Sequence, residues 1–268
     1  MLAKLIKYDF KALNRFLIII HIMLLIMAVL GRVTFVGVIM RNVDAMSEFE
    51  TIVMTAGILV YALMFMVAVL GTEILVGVHF YRNLFSDEGY LTHTLPVSRG
   101  QLLMSKTISG SLWILIDQIL LILSGVILVY TKEVAELLVN YKDRIWKAVG
   151  FPAGMGYGTI LLVLFILCVV SALGNALMIY VSVAVGQLFS NHRVLGAIVV
   201  YFGIGIVVGV VSGIFGASIA ITDVVQETVS LYQLYVKLFG LSFGIEIAVA
   251  VIGYFITYLL MQKKLNLN

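Results

Sequence analysis

Residues 157–189 read YGTILLVLFILCVVSALGNALMIYVSVAVGQLF, a run of 33 positions without a Lys, Arg, Asp or Glu. About 20 consecutive apolar residues suffice for a helix to cross the hydrocarbon core of a bilayer, so this segment belongs in lipid. Apolar segments at 16–39, 52–78, 107–130, 194–221 and 238–261 are each long enough to do the same. The whole chain agrees with that reading: 62% of its 268 residues are apolar and 12% are charged, where a soluble domain has about 25% charged residues. Its 17 basic and 14 acidic side chains cannot clothe a water-facing surface of this size. With two prolines and long uncharged runs, helices are favoured over the short alternating strands of a barrel. The expected fold is all-α: a polytopic membrane protein with six transmembrane helices in one domain spanning 1–268. Segment 157–189 would be about 50 Å long as a helix, so it either overshoots the bilayer or breaks near Gly174 and Asn175, and a break would make seven spans. The first apolar run, from Phe16, lacks a small-residue cleavage site and is expected to stay in the mature chain.

Charge distribution chooses between six and seven. With six spans and the N-terminus inside, the inner face carries ten basic residues, among them Lys4, Lys7, Lys11, Arg15, Arg82, Arg99, Lys106 and Arg193, against three acidic ones, a net of +7. The outer loops carry six basic residues against eight acidic ones, a net of −2. Positive charge on loops marks the cytoplasmic side, so six spans with both termini cytoplasmic are expected. A net charge of +3 on the whole chain, dispersed as it is, excludes nucleic acid as a partner. The lone Cys168 excludes an intrachain disulfide framework.

Ahead of the first span, Lys4, Lys7, Lys11 and Arg15 recur every three or four residues, opposite Leu2, Leu5, Ile6, Phe10 and Leu13. This is the pattern of an amphipathic helix on the inner leaflet, basic side chains toward anionic headgroups. An elbow helix over 1–15 is therefore expected. Residues 132–148 repeat the pattern with Val134, Leu137, Leu138, Tyr141, Ile145 and Trp146, which predicts a short outer helix on the membrane surface.

The loop between spans two and three is too apolar for a plain connector. Ser86 followed by Asp87 and Glu88 reads as an N-cap with acids in the first turn. Ser98 with Gln101 reads as a capping box opening the helix of span three, with Pro96 separating the two. A short cytosolic helix bearing Phe85, Tyr90 and Leu91 is shaped to dock in the groove of another protein. The stretch FSDEGYLTHTLPVSRGQLLMSK over 85–106, in a chain of six spans with a basic N-terminal helix, resembles the permease subunits of ABC-2-type transporters (type V exporter-like), small bacterial ones in particular. The resemblance implies that 83–94 is a coupling helix entering a cleft of a separate nucleotide-binding subunit, with Phe85, Asp87, Glu88, Tyr90, Leu91 and His93 as its contacts. It implies two P-loop ATPase copies holding ATP and Mg, a second permease protomer of the same or another kind, and a bacterial plasma membrane location. A hydrophobic or amphipathic cargo, lipid-like, drug or peptide, is the substrate class implied.

Other chemistry is weakly signalled. Residues 100–107, GQLLMSKT, differ from a phosphate-binding loop only by Ser105 in place of the second glycine, but they lead straight into a span and no strand precedes them. His21, His79, His93 and His192 lack the spacing of a zinc protease, and 216–220, GASIA, only approaches a nucleophile elbow. No catalytic or metal residue and no cofactor is expected in this chain. Glu73, Asp117 and Glu246 fall inside spans, where a carboxylate is costly and functional by default. Arg32 is a candidate counter-charge, and Glu73 and Asp117 are candidates for one shared network. A proton-coupled secondary transporter would use these three acids as titrating carriers, and a non-transporting accessory or sensor protein would need none of them. Gly205, Gly209, Gly213 and Ala217 form a ridge of small residues along one face of span five, suited to close helix approach within one protomer or between two. Ser171, Asn175, Ser182 and Gly186 give span four a mildly polar stripe. Residues 223–237, with Tyr232 and Tyr235, are expected to form an outer segment that re-enters the membrane or lies flat on it.

Overall fold

A computed structural model describes residues 1–39, 47–94, 96–149, 151–152, 154–189, 191–225 and 231–263. Among the described residues the chain is helical without strands. The helices are α1 (Leu2–Ile39), α2 (Glu48–Phe85), α3 (Asp87–His93), α4 (Arg99–Val129), α5 (Lys132–Asn140), α6 (Lys142–Val149), α7 (Tyr157–Gly186), α8 (Arg193–Val225) and α9 (Leu231–Lys263). Six of them, α1, α2, α4, α7, α8 and α9, are long and apolar enough to cross a membrane. The architecture is that of a multi-pass helical membrane protein.

Side-chain contacts fix the direction of each helix. Going up α1, Asp9 meets Lys106, His21 meets Asp117, and Arg32 meets Ile127, so α1 and α4 run parallel in near-constant register. Going down α2, Tyr61 meets Ser124, Thr72 meets Asp117, and Asn83 meets Lys106, so α2 is antiparallel to both. Asn175 of α7 reaches Glu73 and Tyr180 reaches the Lys106 carbonyl, which sets α7 parallel to α2. Arg99 of α4 donates to the Gln262 carbonyl near the end of α9 at 2.8 Å. The six long helices therefore alternate in direction. The start of α1, the end of α9 and α3 share one end of the bundle, called proximal below, and α5 and α6 lie at the distal end. Seven spans would separate the two chain ends.

The structure corrects several expectations. Segment 1–15 is not a separate helix in the membrane plane: α1 is uninterrupted from Leu2, and Asp9 to Arg32 run alongside α4. Its buried stripe, Asp9, Leu13, Leu17, His21, Leu24, Ala28 and Gly31, continues through the expected boundary at residue 16. The lysines at 4, 7 and 11 and Arg15 are exposed, as an outward basic face requires. Segment 157–189 does not break at Gly174, because that glycine packs inside a continuous α7 that ends at Gly186. Residues 132–148 form two helices meeting at Tyr141, each with its own N-terminal acid, Glu133 and Asp143. Residues 232–237 are not a re-entrant loop but the opening turns of α9, while 226–230 lie outside the described residues.

Burial is strongly graded along the bundle. The core comprises Leu13, Leu17, Phe80, Leu84, Leu103, Trp113, Ala176, Leu177, Tyr180, Ala184 and Met261, all in the proximal half, and Phe80 stacks on Tyr180 with ring centres 4.0 Å apart. None of the first twenty residues of α2 and none of the first fourteen of α7 is buried. At the distal end, Trp146 is buried under α6, donates to the Met155 carbonyl at 2.8 Å and meets Phe151 and Tyr157 edge-on. That aromatic group suits an interfacial cap.

Candidate functional site

Three polar groups are stacked along the bundle. The proximal group joins α1, α2 and α4. The Lys106 ammonium, 3% exposed, pairs with Asp9, 8% exposed. It also donates to Asn83 Oδ1 at 2.9 Å, while Ser105 Oγ donates to the other Asp9 oxygen at 2.6 Å. Asn83 Nδ2, which can only donate, faces His79 Nδ1 at 3.4 Å. His79 Nε2 lies 3.3 Å from Asp9 Oδ1 and 3.4 Å from the Lys106 ammonium. The ion pair is thus satisfied on every side, which a buried charge requires. Helix α3 begins four residues beyond Asn83, so this network lies at its root.

The middle group is His21 of α1, Thr72 of α2 and Asp117 of α4, each under 5% exposed. His21 Nδ1 donates to the Leu17 carbonyl at 2.7 Å, and Nε2 is 2.8 Å from Asp117 Oδ1, which also accepts from Thr72 at 3.2 Å. A carbonyl can only accept, so Nδ1 carries a proton, and Nε2 faces the carboxyl. Trp113 lies between Phe10, at 4.7 Å, and His21, at 6.1 Å, and its indole donates to the Phe10 carbonyl.

A third group lies on the other side of α2. Glu73 accepts from Asn175 of α7 at 2.7 Å and from the Tyr201 hydroxyl of α8 at 3.1 Å. Glu246 of α9 is seated against Gly174 of α7 and has no hydrogen-bond or ion-pair partner among the described residues. Glu73 and Asp117 are therefore in separate networks, because the consecutive residues Thr72 and Glu73 project from α2 about 100° apart and meet different neighbours. Arg32 is counter-charge to neither, and donates instead to the Ile127 carbonyl at the distal end of α4.

The docking segment is shorter and differently built than the sequence suggests. Only Asp87–His93 is a separate helix, while residues 83–85 complete α2. Phe85 is 8% exposed and packs against Phe80, so it serves the core. Tyr90 and Leu91 are 64% and 68% exposed. Asp87 is exposed, and Glu88 is held by Arg82 at 2.6 Å within the chain. Ser86 stands at the N-cap of α3 with Asp87 and Glu88 in the first turn, as expected, but its hydroxyl makes no capping bond and donates back to the Arg82 carbonyl. The Ser98–Gln101 capping box is present at α4. The side chain of His93 lies outside the described residues. On α8, a Cβ added to Gly205, Gly209 or Gly213 would meet nothing within 4 Å, so the ridge does not pack against any other helix among the described residues.

Sequence reasoning missed Asp9, His21, Lys106 and Tyr201. A signal for the first was present, since Asp9 falls on the Leu13–Leu17 side of an otherwise cleanly amphipathic helix. His21 continues that line at helical spacing. No protein-family model, no curated protein and no solved structure matches this chain.

Proposed function

We propose that this chain is the membrane-spanning permease subunit of an ATP-driven exporter of the ABC-2 type, seated in a bacterial plasma membrane with its proximal end in the cytoplasm. ATP hydrolysis resides on separate P-loop subunits. The observation that carries the reading is α3: a seven-residue helix at the basic end of the bundle, holding Tyr90 and Leu91 in water. Leaving a large apolar side chain exposed forgoes about 1.5–3 kcal/mol relative to burial, and a partner's groove would recover it. The root of α3 is tied through Asn83 and Lys106 to α1, α2 and α4 together, so a push on α3 reaches three spans through one satisfied network. Orientation follows from charge, since Lys4, Lys7, Lys11, Arg15, Arg82, Arg99 and Arg193 all lie at that end.

The test is copurification of the chain with a candidate P-loop ATPase, for which one encoded beside it is the natural choice. Tyr90→Ala with Leu91→Ala should abolish the complex and coupled hydrolysis while insertion and thermal stability hold, because neither side chain is in the core. A complex and coupled activity at the parental level would remove the main support. A second reading, a proton-coupled transporter, is favoured by the buried His21–Asp117 pair, two titratable groups in contact at 2.8 Å inside the spans. Proteoliposomes of the chain alone separate the two, since uptake driven by a pH gradient without ATPase or ATP belongs to the second.

A further inference from the structure

The distal ends of α1, α2 and α4 enclose an apolar groove of about 120 Å³, lined by Gly31, Met54, Gly57, Ile58, Tyr61 and Leu128. Gly57 lies so close to α1 that an added Cβ would be 3.2 Å from Thr34 Oγ1, and the Tyr61–Ser124 hydrogen bond, 2.9 Å, joins α2 to α4 at the wall. Beside the groove, the residue after Gly31 is Arg32, and the residue before Leu128 is Ile127. The half-buried Arg32 guanidinium donates to the Ile127 carbonyl at 2.6 Å. That carbonyl belongs to the last turn of α4, where acceptors lack intrahelical partners. The bond accounts for one of five N–H donors and supplies only the partial negative charge of a helix terminus. Arg32 has no carboxylate partner among the described residues.

A full positive charge within a membrane-spanning helix calls for an anion, and a guanidinium matches phosphate with two parallel hydrogen bonds. The anion must arrive through lipid, and the surface beside the charge is apolar. We propose that this site binds an acidic phospholipid of the distal leaflet, its phosphate on Arg32 and an acyl chain in the groove. The site does not depend on the transporter reading, and its test uses the chain without an ATPase.

The chain in detergent is mixed with equal amounts of phosphatidylglycerol and phosphatidylcholine, and the lipid carried into the gas phase is read by native mass spectrometry. The expected preference for phosphatidylglycerol is about fivefold, typical of one basic residue beside an anionic lipid. Arg32→Gln keeps a donor for the Ile127 carbonyl but removes the charge, and should bring the preference to parity. Arg32→Lys should retain most of it, and Lys147→Gln, an exposed cation of α6 that does not line the groove, should change nothing. Glycerol phosphate, which has the anion without the chain, should fail to compete. The proposal is overturned if wild type shows no preference, if Arg32→Gln keeps it, if Lys147→Gln abolishes it, or if glycerol phosphate competes as well as the lipid.

Discussion

Removing the charge of Asp9 should cost more stability than any other single conservative change at the proximal end. In Asp9→Asn the Lys106 ammonium stays buried, its side chain 4% exposed, facing only uncharged amide oxygens, Asn83 Oδ1 and that of the new Asn, in place of the carboxylate. Removing one partner of a buried ion pair costs about 3–5 kcal/mol. The pair lies below the expected start of the hydrocarbon at residue 16, where water helps relaxation, so about 3 kcal/mol is the figure to expect. Lys106→Met should cost less, about 2 kcal/mol, because Asp9 keeps its bonds from Ser105 and His79. Asp9→Asn combined with Lys106→Met removes both charges, and should be milder than the sum of the two by about 2 kcal/mol. The assay is denaturant unfolding in mixed micelles in a Trp146→Phe background. Of the two tryptophans, that leaves Trp113, which stacks on Phe10 one residue from Asp9 and so reports the α1–α4 contact directly. Single variants within about 0.5 kcal/mol of the parent, with additive effects, would refute the claim that this pair holds the two helices in register.

Two further outcomes follow from the packing. Gly186→Leu should destabilise the bundle by at least about 2 kcal/mol, since even a Cβ there would be 2.6 Å from the Ala197 backbone nitrogen, whereas Gly209→Leu should leave the monomer unchanged in the same unfolding assay. In a Cys168→Ser background, an impermeant thiol reagent applied from outside cells should label Asn140→Cys and Thr228→Cys and spare Glu88→Cys and Asn266→Cys; labelling at 266 but not at 140 would invert the assigned orientation.

The six spans were legible because each apolar run exceeds what a bilayer requires, a property that needs no partner to be read. The capping box at Ser98 and Gln101 was legible for the same local reason. What escaped was whatever depends on a neighbour. Lys4, Lys7, Lys11 and Arg15 imply an outward basic face, but whether the helix beneath them turns along the membrane or continues down its axis is decided by what receives Asp9. Phe85 reads as an anchor in a loop, yet α2 runs three residues past Arg82 and turns that ring onto Phe80. The glycine ridge of α8 is equally visible in either reading, and only the positions of the other five spans tell that nothing in this protomer meets it.

The distribution of polar contacts explains why burial is graded. Lipid tails are as apolar as leucine, so spans gain nothing from hiding apolar side chains from them, and association rests on close packing and polar bonds. Helices α1, α2 and α4 are bonded at three depths: Asp9, Asn83 and Lys106 at the proximal end, His21, Thr72 and Asp117 in the middle, and Arg32 with Ile127 and Tyr61 with Ser124 at the distal end. Among the described residues, helices α7, α8 and α9 join them through proximal and middle contacts, at Glu73, Gly77, Tyr180, Arg99 and Gln118, whose amide donates to Ser171 of α7 at 3.4 Å. The first three helices therefore form a unit braced along its length, and the last three are braced at the base. A displacement entering at α3 would move the braced unit as one body, while among the described residues α7 before Ser171 and α8 beyond Tyr201 make no polar bond to α1, α2 or α4 that would resist separation. Any opening of this bundle should accordingly begin at the distal end, between the three braced helices and α7 with α8, with Asn175 and Tyr201 on Glu73 as its hinge.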